Sequence, residues 1–197
     1  MNTYTYHLQV DSYTSYISDK CLPTMKQSEA ILRLNAWDLK GHYIFQHRDL
    51  KKIFHEDTER NLNETLKRLV KNQILERLAR GIYLYTLSRD RFSANTLEII
   101  AKTLRRGEYS YISLESALSE YGVISQIPVD RLTVMTTGRK GQYKTRYGVI
   151  EFTHTKKSVP DIVDSIRSVG RPLRVATQET AIRDLKRVGR NVHLIID

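Results

Sequence analysis

The sequence predicts an α+β protein in two parts, a largely helical one over residues 25–87 and a mixed α/β one over 93–197, preceded by a Tyr-rich extension over 1–24. Three observations lead there. Between Met25 and Asn72 apolar residues recur at helical spacing in three separate runs. From Ile74 to Tyr85 that period gives way to β-branched and aromatic residues around the turn Ala79-Arg80-Gly81. Beyond "SRDRFSAN" at 88–95, a charged and small-residue joint, strand-like and helix-like stretches alternate.

The extension "MNTYTYHLQVDSYTSYISDKCLPT" has no helical period and reads as a tail or an arm. From Met25 to Leu39, Ala30, Ile31, Leu34 and Trp37 define a first helix. "HYIFQHRDL" leads into a second, about Arg48 to Phe54, with Leu50, Ile53 and Phe54 inward. "HEDTERN" is a turn and a helix start: Asp57 or Thr58 can cap, and Glu59 favours the positive end of the helix dipole. The third helix runs to about Asn72. At about 100° per residue, Leu62, Leu66, Leu69 and Val70 share one stripe, and Arg60, Glu64, Lys67, Arg68 and Lys71 share the opposite one.

Three helices followed by a two-stranded hairpin is the order of a winged helix-turn-helix, whose third helix enters the major groove while the hairpin grips the flanking backbone. The residue types suit that task. Arg60, Asn61 and Asn63 can read base edges, whereas Lys67, Arg68, Lys71 and, at the hairpin tip, Arg80 can hold phosphates, with Thr58 at the helix start. Glu64 can read a cytosine amino group, or pair with Lys67 or Arg68; the ion pair is the simpler expectation.

In the second part, Leu97, Ile100, Ala101 and Leu104 mark a helix, and "YISLESALSEYGVI" a second, capped by Ser113 and ended by Gly122. "RLTVMTT" and "GVIEFTHT" alternate like paired strands joined by the basic loop "GRKGQYKTRY". "SVPDIVDSIRSVG" is a helix started by Pro160, and "LRVAT" is a short strand. The helix from Thr177 places Ala181, Ile182, Leu185 and Val188 on one face and Arg183, Lys186, Arg187 and Arg190 on the other, a basic face that repels itself unless an anion relieves it.

Charge and composition narrow the function. The formal net charge is +10, with a pI near 9.7, which points to a polyanionic partner, most often nucleic acid. The first 47 residues are electrically balanced, so the excess lies further along the chain, where Arg139, Lys140, Lys144, Arg146, Lys156 and Lys157 stand against Glu151 alone. No apolar run approaches the roughly 20 residues of a membrane helix and no export signal opens the chain, so a soluble, cytoplasmic protein is expected, with no membrane partner. The lone Cys21 excludes an intramolecular disulfide and a zinc finger, and the six histidines never fall into HxxxH or HExxH spacing. No cofactor or metal is expected.

The chain is read as non-enzymatic. The alternative is a metal-dependent nuclease built on Asp130 and Glu151 flanking the strand pair, which needs a lysine two residues beyond Glu151; Thr153 stands there, and Lys156 and Lys157 come later. P-loop, GxGxxG and GxSxG patterns are absent.

"RLVKNQILERLARGIYLY", "YISLESALSEYGVI", the strand pair and "VATQETAIRDLKRVGRN", in this order, resemble the AbiEi family of antitoxins from bacterial type IV toxin-antitoxin systems. The likeness runs from about residue 26 to the end, and "SLESALSEYG" and "ATQETAIRDL" carry most of it. The resemblance implies a transcriptional repressor that binds double-stranded DNA repeats in its own promoter. It also implies an operon shared with a nucleotidyltransferase-like toxin, which the antitoxin neutralises without a stable complex.

Overall fold

The structure, a computed structural model, describes residues 25–124 and 130–189 together with Asn191 and His193. The Tyr-rich extension and Arg190 lie outside them. Among the described residues there are seven α-helices and two β-sheets, a mixed α+β architecture. None of these helices is long and apolar enough to cross a membrane.

The N-terminal half runs α1 (Gln27–Asp38), β1 (Ile44–Gln46), α2 (His47–Ile53), α3 (Glu59–Lys71), β2 (Leu75–Ala79) and β3 (Ile82–Tyr85). Ala30 and Leu34 of α1, Leu50 and Ile53 of α2 with the adjoining Phe54, and Leu62, Leu66 and Leu69 of α3 are buried together, so the apolar stripes are the core faces. Trp37 departs from its stripe. It is 42% exposed, at the end of α1, against His42 and under the Lys40 ammonium. Arg33 clamps α1 to the end of α2, donating to the Ile53 carbonyl at 2.8 Å and to both oxygens of Glu56 at 2.7 Å. The same guanidinium pulls the Glu56 carboxyl down to about 2.

The hairpin is not free-standing. β3 pairs antiparallel with β2 on one side and with β1 on the other, order β1-β3-β2. That explains why all four residues from Ile82 to Tyr85 are buried: a central strand covered on both faces loses the alternation of a half-exposed one. β1 itself, only three residues inside "HYIFQHRDL", carries too short a pattern to be told from a helix lead-in.

The C-terminal half comprises α4 (Thr96–Leu104), β4 (Ser110–Ile112), α5 (Leu114–Glu120), β5 (Arg131–Thr136), β6 (Gly141–Thr145), β7 (Gly148–His154), α6 (Val159–Asp164), β8 (Ile166–Arg167), β9 (Arg174–Ala176) and α7 (Gln178–Val188). Its six-stranded sheet has the order β6-β7-β5-β4-β9-β8. Three expectations change. The strands at 131–136 and 148–154 do pair, but in parallel, because the intervening basic segment is itself β6, antiparallel to β7. Likewise Ser110–Ile112 is a strand, while the helix starts after Ser113, as its cap position implied. Ser113 occupies the N-cap position without capping; its hydroxyl is drawn to Asp184 at 3.0 Å. The helix of "SVPDIVDSIRSVG" stops at Asp164, and Ile166–Arg167 form β8, antiparallel to β9.

α4 packs against β1 of the first sheet and against β5 and β7 of the second. Polar ties reinforce it: Gln46 donates to the Thr103 carbonyl at 2.7 Å, Tyr43 and Thr96 hydroxyls meet at 3.0 Å, and Arg106 pairs with Asp49 at 2.7 Å.

One glycine is indispensable to the parallel pair. Gly148 has φ +132°, and a Cβ there would lie 2.5 Å from the Asp130 carbonyl oxygen, which accepts from the Val149 amide at 2.7 Å. Gly148→Ala is therefore expected to destabilise the protein by about 1–3 kcal/mol through backbone strain. Urea denaturation checks it, and an unchanged midpoint would mean the strands part without cost.

Candidate nucleic-acid interface

α3 begins where "HEDTERN" places it. Thr58 caps the helix, its Oγ1 accepting from the Asn61 amide at 3.3 Å. Asp57 staples the same turn from behind, accepting from the Thr65 hydroxyl at 2.9 Å and the Met25 amide at 3.2 Å. Glu59, in the first turn, is held by Lys51 at 2.9 Å, which lowers its carboxyl's pKa.

The helix ends at Lys71. Gln73 takes φ +57°, the left-handed conformation that terminates helices, and the Ile74 amide reaches back to the Leu69 carbonyl at 2.9 Å. Thr86 locks the break from the far strand, its hydroxyl donating to the Ile74 carbonyl at 3.0 Å. This reversal lays the hairpin alongside α3. A bulge between Arg77 and Ala79 then bends β2, and Arg80 and Gly81 make the turn. The tip is anchored, because the His47 amide donates to the Gly81 carbonyl at 2.8 Å.

Between α3 and the hairpin runs an open groove of about 680 Å³. Arg60, Asn63, Lys67 and Lys71 line it from the helix and Arg77 from the hairpin, all exposed. Tyr83, Leu66 and Val70 form its apolar floor. Glu64 is also on this wall and pairs with Lys67 at 2.9 Å, as the ion-pair expectation had it, and Lys67 holds its carboxyl below the ordinary range. Asn63 is oriented: its amide nitrogen donates to the Glu59 carbonyl at 2.9 Å, and its oxygen lies 3.4 Å from His47 Nε2.

Two of the residues assigned to this face belong elsewhere. Asn61 is only 6% exposed, one step round the helix from the groove and inside the core boundary. It cannot present its amide to a base edge from there. Arg68 turns the other way, its guanidinium donating to the Met25 carbonyl at the start of α1, so it ties two helices together. Thr58 is exposed, with its oxygen engaged as the cap. Arg80 is exposed at the turn between β2 and β3.

Sequence reasoning missed Arg77 and His47. Arg77 stands in "LERLA", where a period of two would put it on the side of the buried Leu75; its exposure beside α3 follows no local pattern, and the strand is irregular there, with a bulge between Arg77 and Ala79. His47 becomes relevant only because β1 brings it beside α3.

In the second half, α7 starts after Thr177, whose hydroxyl caps it, and has its expected apolar face, with Ala181 and Leu185 buried. The basic face is less free than its spacing implies. Lys186 is exposed, but Arg183 donates to the Thr180 hydroxyl at 3.0 Å on its own helix. Arg187 is exposed too, with two polar contacts. Its guanidinium donates to the Thr155 hydroxyl at 3.2 Å and lies 3.9 Å from Asp184, because that carboxylate is buried at the edge of the same helix and draws cations inward. Lys157 reaches Asp184 Oδ1 at 2.9 Å, and the Tyr111 and Ser113 hydroxyls donate to Oδ2 at 3.1 and 3.0 Å. Burial first, and the adjacent carboxylate second, push the Tyr111 phenol well above its ordinary range.

Asp130 lies just before β5. Glu151 lies in β7 opposite Thr133, its carboxylate paired with Arg131 at 3.1 Å. Among the described residues no group of three or more His, Cys, Asp and Glu side chains is placed to hold a metal ion.

A family model described as a family of unknown function, DUF6088, matches residues 38–192. No curated protein matches the chain.

Proposed function

The chain belongs to the DUF6088 family, and on that footing we propose that it is a sequence-specific repressor that grips double-stranded DNA through a winged helix-turn-helix. In this reading α3 is the recognition helix and the β2–β3 hairpin is the wing. The observation that carries it is the groove between them, where Arg60, Asn63, Lys67, Lys71 and Arg77 present exposed donors over an apolar floor. Such a set divides naturally between base edges and phosphates. Arg60 can bind the O6 and N7 of guanine in bidentate fashion, and the oriented amide of Asn63 suits the N6 and N7 of adenine. The lysines, at the rear of the helix, suit the backbone. Arg80 at the hairpin tip suits a flanking phosphate or the minor groove.

The antitoxin role extends this reading. It rests on the resemblance of "SLESALSEYG" and "ATQETAIRDL" to the AbiEi antitoxins, and makes the bound DNA the repeats of the chain's own promoter. It also makes the functional partner a nucleotidyltransferase-like toxin, neutralised without a stable complex.

Fluorescence-anisotropy titration of the upstream duplex and of a random duplex, at several salt concentrations, tests the repressor reading. The expected result is tighter binding to the upstream duplex, falling steeply with salt at a slope of about −0.9 per phosphate contact. Equal affinity for both duplexes would sink sequence-specific repression.

A further inference from the structure

Beside the hairpin lies a second hollow, of about 500 Å³, that shares Val70 and Arg77 with the groove of α3. Its far wall comes from outside the N-terminal half: Arg91 on the joint between the two halves, and Arg146 and Tyr147 on the turn between β6 and β7. Arg146 is brought there by Glu76 of β2, which accepts from its guanidinium at 3.3 Å and from the Tyr147 hydroxyl at 3.3 Å. Phe92, 63% exposed, stands beside them, with the Arg91 guanidinium 4.7 Å and the Arg146 guanidinium 5.6 Å from its ring centre.

The Phe92 ring packs on Tyr147, 6.0 Å between ring centres, and attracts the two guanidiniums to its faces. Both arginines lie against ring faces, and Glu76 holds Arg146; the Arg146 side chain is still 54% exposed, while Arg91 is half-buried on the wall of the hollow. Planar guanidiniums so held lose little freedom when they take a phosphate in bidentate fashion. Because Arg77 borders both hollows, the cations of α3 and those of the joint form one continuous path across the hairpin.

We propose that the phosphate backbone of duplex DNA follows this path, so that Arg91 and Arg146 extend the α3 interface onto the joint and the β6–β7 turn, with Phe92 packing against the sugar edge. This rests on the repressor reading and adds a contact that no three-helix-plus-wing unit contains.

The test is the salt dependence of binding to the upstream and random duplexes by the full chain and by Arg91→Gln/Arg146→Gln, which removes both charges and leaves a shorter polar side chain at each position. The expected double variant binds both duplexes more weakly, with the log–log slope flatter by about 1.8, two contacts' worth, and with the ratio between the duplexes unchanged. Arg91→Lys/Arg146→Lys, which retains both charges, is expected to restore the slope. A thermal melt matching that of the unaltered protein assigns the loss to contact rather than to misfolding; should the Gln pair fail to fold, single Arg91→Gln is expected to flatten the slope by about 0.9. Strong binding with an unchanged slope in the variants overturns this extension alone. Failure of the unaltered protein to bind any duplex overturns the repressor reading and the extension with it.

Discussion

Replacing Asp184 by alanine is expected to cost about 3–5 kcal/mol of folding stability, the effect of breaking a buried ion pair from one side. Asp184 is 1% exposed, and four donors converge on it from three directions: Lys157 after β7, the Tyr111 and Ser113 hydroxyls from β4 and its end, and Arg187 one turn along α7. Without the carboxylate, two hydroxyls lose their acceptor and a lysine that is 21% exposed is left facing the sheet. That residual access to water favours the lower end of the range. At about 2–4 °C per kcal/mol for a chain of this size, the melting temperature should fall by roughly 6–20 °C. Asp184→Leu combined with Lys157→Met removes both charges and should recover part of the loss, because apolar replacement of a whole buried pair is often tolerated. Calorimetry of the two variants decides it. If Asp184→Ala melts within a degree or two of the unaltered protein, the cluster is solvated and carries little.

Arg60→Ala and Arg80→Ala should separate the two modes of DNA contact. Arg60 stands in the first turn of α3, exposed, on the groove wall beside Asn63. Its loss is expected to weaken binding to the upstream duplex by about 1–3 kcal/mol and to narrow the gap between upstream and random duplexes. Arg80 is exposed at the turn of the hairpin, whose tip is tied through the Gly81 carbonyl to the His47 amide. Removing it should weaken every duplex alike and flatten the salt slope by about 0.9. Competition titrations with both duplexes read the difference. A uniform loss for Arg60→Ala would move that residue from base reading to backbone contact.

Much of the helical content was legible because it rests on local causes. Of the two cap candidates before the third helix, Asp57 and Thr58, Thr58 caps, and the last helix starts where its apolar period begins, after Thr177. The third helix stops where its pattern stops, and Gln73 carries the left-handed backbone that ends it. Strands were harder. β1 and β4 are three residues each, below the length at which a period of two can be recognised, and both exist because a longer neighbour pairs with them. The parallel arrangement of β5 and β7 was hidden for a related reason: alternation identifies a strand and is silent about direction.

The site divides along the same line. Periodicity alone put Arg60, Lys67 and Lys71 on one side of α3, and they line the groove. It put Asn61 and Arg68 near that side too. A helical wheel cannot say how wide the core is or where α1 begins, and those two facts bury Asn61 and turn Arg68 onto the Met25 carbonyl. Arg187 stays exposed on its face while its guanidinium reaches the Thr155 hydroxyl.

By itself, then, the sequence determined which segments are helical, where the longer ones start and stop, which stripe of each faces inward, and that the excess positive charge lies beyond residue 47. Those properties follow from side-chain chemistry acting over one or two turns of chain. Only the tertiary structure decided which cations remain available, that Arg77 and His47 stand beside α3, and that Arg146, about 70 residues from Glu76 along the chain, completes a surface with it. Such placements depend on strand pairing and on which buried carboxylates and carbonyls lie within reach, and these are set by contacts between segments far apart in the chain.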